Sequence, residues 1–427
     1  MSKRRAVITG LGVIAPAGVG KENYWQGLLS AKSFITRMTP ESCNLPQYDI
    51  SQLKSQIWGQ VKDFDPRVAG LREDQIRRMD RYVQFAVAGT LEAVADAGLD
   101  FSPLNRDRCG VALANAICGT KMMEEEFVVV TQWGQEPINP EYVSPYLYNA
   151  SMFNNPSNEI SALYNLRAVC TTISTGCTAG TDAMGYALEC IQNDEADLII
   201  CGAAEAPLTP ISMVAFDVIN AIATRNHEPH RASRPFDKDR EGFVLSEGCG
   251  IFILEELEHA QKRGAKIYAE ILGFGSTMNA YHMTDLEEDG RDQARAMKIA
   301  LDDSGIDPRE VDYISAHGSS TPQNDVSETG AIKDVFGDHA YKIPVSSLKG
   351  AMGHPLAAAN AVELIACCLS LERDMILPTL NLDNPDPRCD LDYVPHKPRA
   401  GRKNVILKNS SGFSGIHSAV VLRRFEG

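Results

Sequence analysis

The chain is 427 residues long, 44% hydrophobic, and carries a formal net charge of −15 at neutral pH. That length exceeds one ordinary core and suits two fused units, and the negative charge, with no basic block to offset it, argues against nucleic acid as a partner. Eleven cysteines, an odd number without regular spacing, suit a reducing compartment, and neither Cys-x-x-Cys nor His-x-x-x-His occurs, so no metal site is expected.

Lys3-Arg4-Arg5 ahead of Ala6 to Ala17 imitates a secretion signal. Gly10, Gly12, Pro16 and Gly18 interrupt the apolar run, and Ala6 to Gly10 reads better as a first buried strand turning into a glycine loop. No segment reaches the roughly 18 uninterrupted apolar residues of a membrane helix; a soluble, cytoplasmic protein without a membrane partner is expected. Strands are expected at 5–9, 109–114, 168–173, 197–201 and 250–254, and a second series at 266–272, 311–315, 343–346, 404–407 and 419–422. Helical periodicity fills the gaps at 82–97, 179–191, 291–304, 327–336 and 356–371. Two α/β series suggest an internal duplication with halves 1–257 and 258–427. Residues 120–165 read as an irregular insertion. Its Met122, Met123, Phe127, Trp133, Tyr142, Tyr146, Tyr148, Met152 and Phe153 carry apolar area that a second subunit would bury.

Cys177 stands in Ile173-Ser174-Thr175-Gly176-Cys177-Thr178-Ala179-Gly180, just ahead of a helical pattern. A thiol at a strand-to-helix turn feels the partial positive charge of the helix N-terminus, which lowers its pKa, and small neighbours leave room for a substrate carbonyl. A buried structural thiol is the alternative, and it is the reading for the other ten cysteines. Two histidines separate Cys177 from them. His317, in Ala316-His317-Gly318-Ser319-Ser320-Thr321, and His354, closing Lys349-Gly350-Ala351-Met352-Gly353-His354, both follow short apolar runs, at the strand ends where α/β folds keep their ligand sites.

With these motifs the chain resembles the β-ketoacyl-acyl-carrier-protein synthases of the thiolase superfamily over nearly its full length. Members carry a nucleophilic Cys before a helix, a His-Gly-Thr/Ser-Gly-Thr motif followed by Asn-Asp, a Lys ahead of Gly-His, and a Gly-Phe-Gly-Gly loop. Here these read Cys177; His317 to Thr321 with Asn324-Asp325; Lys349 with Gly353-His354; and Gly412-Phe413-Ser414-Gly415. The surround of Cys177, with Arg78-Met79-Asp80-Arg81, Asn279 to Thr284 and Asp390 to Pro395, looks most like the catalytic α-subunit of type II polyketide ketosynthases. The β-ketoacyl-acyl-carrier-protein synthase II of fatty-acid elongation is the alternative, and a non-catalytic chain-length or assembly subunit is the alternative of another class.

The resemblance implies a duplicated α/β fold, the five-layered α/β/α/β/α sandwich. It implies decarboxylative condensation of malonyl-carrier protein with an acyl chain on Cys177, no bound cofactor beyond the phosphopantetheine of acyl carrier protein, and a homologous chain-length factor or a second copy as partner. By the same resemblance the catalytic residues are Cys177, His317, His354 and Lys349. The N–H groups of Cys177 and Phe413 form an oxyanion hole, with Phe413 also a gate. Glu363 partners Lys349, Asp325 orients the His317 loop or caps the helix from Ser327, and Ser319 and Thr321 bind the phosphopantetheine arm. Arg77, Arg78, Arg81, Arg225, Arg231 and Arg234 are candidates for docking an acidic carrier protein. Ser320, Ala357 and Ser414 stand where the family usually has glycine, so a narrowed or reshaped substrate channel is expected.

Overall fold

The computed structural model describes residues 3–39, 41–43 and 49–426. Two sheets with one strand order organise them. In the first, β1 (Ala6–Ala15), β2 (Cys109–Ala114), β3 (Cys170–Ile173), β4 (Leu198–Glu205) and β5 (Gly248–Glu256) lie in the order β3-β2-β4-β5-β1. In the second, β6 (Ala269–Met278), β7 (Tyr313–Ser315), β8 (Val345–Ser346), β9 (Val405–Ser411) and β10 (Ile416–Arg423) lie in the order β8-β7-β9-β10-β6. The hand of pairing repeats as well: the first three strands of each order are parallel, and the next two steps are antiparallel. The edges β1 and β6 meet antiparallel, Ala6–Ile8 against Ala269–Ile271, so hydrogen bonding runs from one sheet into the other.

Among the helices of the described residues are α1 (Arg81–Asp96), α2 (Thr120–Val130), α3 (Asn155–Tyr164), α4 (Ala179–Gln192), α5 (Pro210–Val218), α6 (Arg291–Ser304), α7 (Asn324–Phe336) and α8 (Ala358–Arg373). α4 and α8 pack on each other and touch both sheets; α1 and α3 cover the outer face of the first sheet, and α6, with α7 beside it, the second. This is the five-layered α/β/α/β/α sandwich. A helix in the middle layer has no face toward water, and α8 is accordingly buried without a break from Ala358 to Leu371. Among the described residues no helix is long and apolar enough to cross a membrane.

Most expected elements are present with shifted ends, and two readings change. β1 does not stop at a glycine loop but runs on through Gly10 and Gly12 to Ala15. Those glycines are where α1 crosses the strand: a Cβ on Gly12 would lie 1.9 Å from the Gly89 carbonyl oxygen, and one on Gly10 would lie 2.3 Å from that of Ala93. They mark close packing, not a turn. The insertion is also less irregular than its composition suggests, because it contains α2 and α3, and α3 belongs to the outer layer of the first half. Its aromatics nonetheless face outward, with Phe127, Tyr142 and Tyr148 all more than half exposed.

Gly12→Ala is therefore expected to lower the denaturant midpoint of unfolding by overpacking, at a cost of about 1–3 kcal/mol. Gly401→Ala, whose Cβ would meet nothing closer than the end of the Lys403 side chain at 3.7 Å, serves as the control and leaves the midpoint in place.

Candidate active site

Cys177 sits in a single helical turn, Gly176–Thr178, between β3 and α4. Gly176 has φ 64°, the left-handed region that glycine enters without steric cost, and this swings the chain from the strand into the helix. Asp182, one turn into α4, braces the turn by accepting hydrogen bonds from the hydroxyls of Thr175, Thr178 and Ser418. Asn360 of α8 donates its amide N–H to the Cys177 carbonyl. Both central helices thus hold the Cys177 turn.

His317 leaves β7 two residues beyond its end, and His354 follows the four-residue helix Lys349–Met352 after β8. Their rings stand 5.2 Å apart at 79° and, with Cys177, line one cavity of about 230 Å³. Phe413, Phe243, Ser319 and Thr321 line it too. Phe243 packs edge-on against His354 at 5.3 Å. The Phe413 backbone N–H reaches the Cys177 thiol. Ser319 and Thr321 share a hydrogen bond of 2.8 Å between their hydroxyls.

Burial, reinforced by the Lys349 ammonium, holds both imidazoles well below the ordinary histidine range, so each is neutral at neutral pH and carries a single N–H. The Nδ1 atoms of both rings are buried without a hydrogen-bond partner among the described residues. The thiol departs from expectation. Burial pushes Cys177 up to about 11, with Lys349 and the Phe413 N–H pulling the other way. In a turn sealed from water, desolvation of the thiolate outweighs the helix N-terminus, so a proton must leave as attack occurs, and a neutral imidazole beside it is a competent acceptor.

Lys349 is 1% exposed and donates to the His317 carbonyl at 2.6 Å and to Glu363 of α8 at 2.7 Å. Lys408 of β9 lies 2.9 Å from the second Glu363 oxygen and is fully buried. Glu328 of α7 accepts the backbone N–H groups of His317 at 2.6 Å and Gly318 at 2.8 Å, and an amide N–H of Asn409 at 2.8 Å. Asp325 accepts from the backbone of Phe236 at 2.7 Å and Ser320 at 3.2 Å. It lies in the first turn of α7, with one oxygen on the backbone of the loop that follows His317; burial raises its carboxyl to about 6.

The three glycine replacements do not narrow this cavity, for none of their side chains lines it. Ser320 and Ser414 both hold φ 70°, the backbone a glycine would supply, and their hydroxyls turn elsewhere: Ser320 accepts the Arg234 N–H at 2.9 Å, and Ser414 meets the Met283 sulfur at 3.3 Å. Ala357 has an ordinary helical φ of −57°, and its neighbour Leu356 takes the positive value of 44°. Two of the arginines are also reassigned. Arg234 is buried in an ion pair with Asp237 at 2.9 Å, and Arg81 grips Glu247 through two nitrogens at 2.8 and 2.9 Å, so both are structural. Arg78 pairs with Glu159, Arg231 with Asp383, and Arg225 lies 3.7 Å from Glu228 and Glu241, while Arg77 is exposed.

Sequence reading passed over Asp182, Phe243, Glu328, Asn360 and Lys408. Lys408 left a signal, since it interrupts the apolar run Val405-Ile406-Leu407, where a charge needs a partner; Phe243 left none.

Models of the β-ketoacyl synthase N-terminal and C-terminal domains match residues 3–260 and 268–383. The chain belongs to the β-ketoacyl synthase family, the condensing enzymes of the acyltransferase class. It is 44% identical over 424 residues, 99% of each chain, to the granaticin polyketide putative β-ketoacyl synthase 1 of Streptomyces violaceoruber. It is 43% identical over 430 residues, 100% of this chain and 99% of the other, to 3-oxoacyl-[acyl-carrier-protein] synthase 2 of Synechocystis sp.. Among solved structures, it matches the ketosynthase complex of a type II polyketide synthase acyl-carrier protein, bound to the hexaketide, with TM-score 0.91 and 42% identity over the whole of both chains. It also matches the ishigamide ketosynthase/chain length factor, with TM-score 0.88 and 33% identity, again over the whole of both chains.

Glu363→Ala would leave two buried ammonium groups without their carboxylate, and a loss of about 3–5 kcal/mol is expected from chemical unfolding. Lys349→Met leaves Glu363 its second ammonium and is expected to cost less stability in the same titration.

Proposed function

We propose that this chain is the ketosynthase of a type II polyketide synthase and joins malonyl-carrier protein to an acyl or polyketide chain held on Cys177, with loss of carbon dioxide. The observation that carries the reading is one cavity lined by a thiol, two neutral imidazoles and the Phe413 loop, whose backbone N–H reaches that thiol. Cys177 passes its proton to a neighbouring imidazole and attacks the acyl thioester, and that proton leaves with the carrier thiol, so both imidazoles are neutral again for the second step. The oxyanion rests on the N–H groups of Cys177 and Phe413, each such donor being worth about 3 kcal/mol. After the carrier thiol leaves, malonyl-carrier protein enters along Ser319 and Thr321, which bind its phosphopantetheine amides. Breaking the carboxyl bond leaves an enolate whose oxygen takes hydrogen bonds from His317 and His354. Its carbon then attacks the acyl-enzyme and Cys177 departs as thiolate. Phe413 gates the passage.

The polyketide assignment rests on the Cys177 surround and on the likeness to the carrier-bound ketosynthase. Identity alone does not separate it from fatty-acid elongation, since the Streptomyces and Synechocystis relatives stand at 44% and 43%; that is the second reading. Retention of Cys177, His317, Lys349 and His354 speaks against a non-catalytic chain-length or assembly subunit.

The substrate is read as carried on acyl carrier protein, with no other cofactor and no metal, and Arg77, Arg78, Arg225 and Arg231 are the remaining docking candidates. The partner is read as a homologous chain-length factor, with a second copy as the alternative. Support comes from β3, which among the described residues pairs on one side alone, and from exposed Phe127, Trp133, Tyr146, Met152 and Phe153 in 120–165. A division into halves 1–257 and 258–427 follows the repeated strand order, and the cysteine content supports a cytoplasmic location.

The test is peptide-mapped mass spectrometry of the protein, purified with its candidate partner and incubated with acyl- and malonyl-loaded carrier protein. Acyl mass on Cys177 and a product that keeps its keto groups through repeated extension are expected. A single extension of saturated acyl chains would move the assignment to fatty-acid elongation, and undiminished product from Cys177→Ala would sink both.

A further inference from the structure

Lys408 is the one fully buried lysine that the sequence motifs leave without a role. It lies on β9 with its ammonium 2.9 Å from Glu363, 3.4 Å from the Ala316 carbonyl and bonded to the Asn409 carbonyl. Lys349 approaches the same Glu363 from the other side and donates to the next carbonyl along the chain, that of His317. Two ammonium groups therefore grip successive carbonyls at the point where the His317 loop leaves β7, with one carboxylate between them. Glu328, fully buried and bound to the N–H groups of His317 and Gly318, holds the same loop by its donors. The two lysines and two glutamates balance in charge, which is the condition for burying them together.

We propose that Lys408 is a second positioning residue of the condensing site: it fixes the start of the His317 loop through the Ala316 carbonyl, holds Glu363 against Lys349, and sets a positive field behind both histidines. The inference rests on the condensing reading of the cavity. Without Lys408, Glu363 is free to swing with Lys349 alone, and the carbonyl of Ala316 loses its only side-chain donor among the described residues. The groups that face Lys408 and His317 are Glu363 and Cys367 from α8, Lys349 from the short helix before it, Glu328 from α7, His354 and Cys177 at the cavity, and His417 from β10. Of these, Lys349 and Lys408 oppose protonation of both His317 and His354, in addition to burial. The sign follows. Taking away one positive charge makes the imidazoles easier to protonate, so a reaction that needs them neutral fails at a higher pH than before as the solution is acidified.

The experiment compares wild type, Lys408→Met and Lys408→Arg, each purified with its partner. Carbon dioxide release from malonyl-carrier protein is followed from mildly acidic to mildly alkaline pH, with Cys177 acylation measured by mass in the same samples. Lys408→Met is expected to slow decarboxylation by roughly ten- to a hundredfold, the range for small displacements of a catalytic group, and to move the acid limb to higher pH. Lys408→Arg keeps the charge and is expected to leave the acid limb where it was. If Lys408→Met does not fold, Lys408→Gln, which removes the charge but keeps an N–H donor for the Ala316 carbonyl, is measured in its place, and the same upward move is expected. An unmoved acid limb in the uncharged variant, whether activity is kept or uniformly lowered, overturns the proposal, because a lysine that only fills space gives that result. Wild type that neither acylates Cys177 nor releases carbon dioxide would instead overturn the condensing reading, independently of Lys408.

Discussion

A carboxylate shared by two buried ammonium groups fixes the geometry of this site. Glu363 comes from the central helix α8, Lys349 from the short helix before His354, and Lys408 from β9, so three separate elements of the second half meet at one ion cluster. In a dry interior such a cluster has few alternative arrangements, since each charge displaced from its partner costs several kcal/mol. Both histidine loops are attached to it, His317 through its carbonyl and His354 through the helix that carries Lys349. Rigid placement of two neutral donors, with little reorganisation left for the moment of reaction, is what charge stabilisation by fixed dipoles requires.

The duplication explains how the Cys177 thiol and the two imidazoles come to line one cavity. Each half has a strand-to-helix turn leading into the middle layer. In the first half that turn carries Cys177 ahead of α4; in the second it carries Lys349 and His354 ahead of α8. Because α4 and α8 pack together, the two turns are brought to one place, and Asn360 bonds directly across to the Cys177 carbonyl. Neither half contains the site alone. The glycines in β1 and the small residues of the central helices are the packing counterpart of this arrangement, letting five layers stack closely enough for side chains from both halves to touch.

Much of this was readable from residues. Period-two and period-3.6 patterns located most strands and helices to within a few positions, because burial on one or both faces leaves a strong imprint. The nucleophile and both histidines stood out because small residues and glycines crowd them. What sequence concealed were effects that depend on three-dimensional neighbours. Gly10 and Gly12 look like a turn until α1 is laid across them. Cys177 looks activated by its helix until the degree of burial is known. Ser320 and Ser414 look like obstructions until their positive φ turns each hydroxyl away from the cavity. Arg81 and Arg234 look available until their carboxylate partners, more than a hundred residues distant for Arg81, close over them.

The strand β3 has a second meaning outside catalysis. It connects directly to the turn of Cys177, it lies at the rim of its sheet, and beside it the segment 120–165 presents aromatic side chains to solvent. An uncovered strand edge flanked by apolar surface is a template for indiscriminate self-association. The chain therefore leaves synthesis with an adhesive surface close to the Cys177 turn. Left bare, such a surface makes the survival of the folded chain depend on its concentration, because unproductive self-association competes with whatever protects the edge, and that competition is a matter of protein homeostasis before it is one of chemistry.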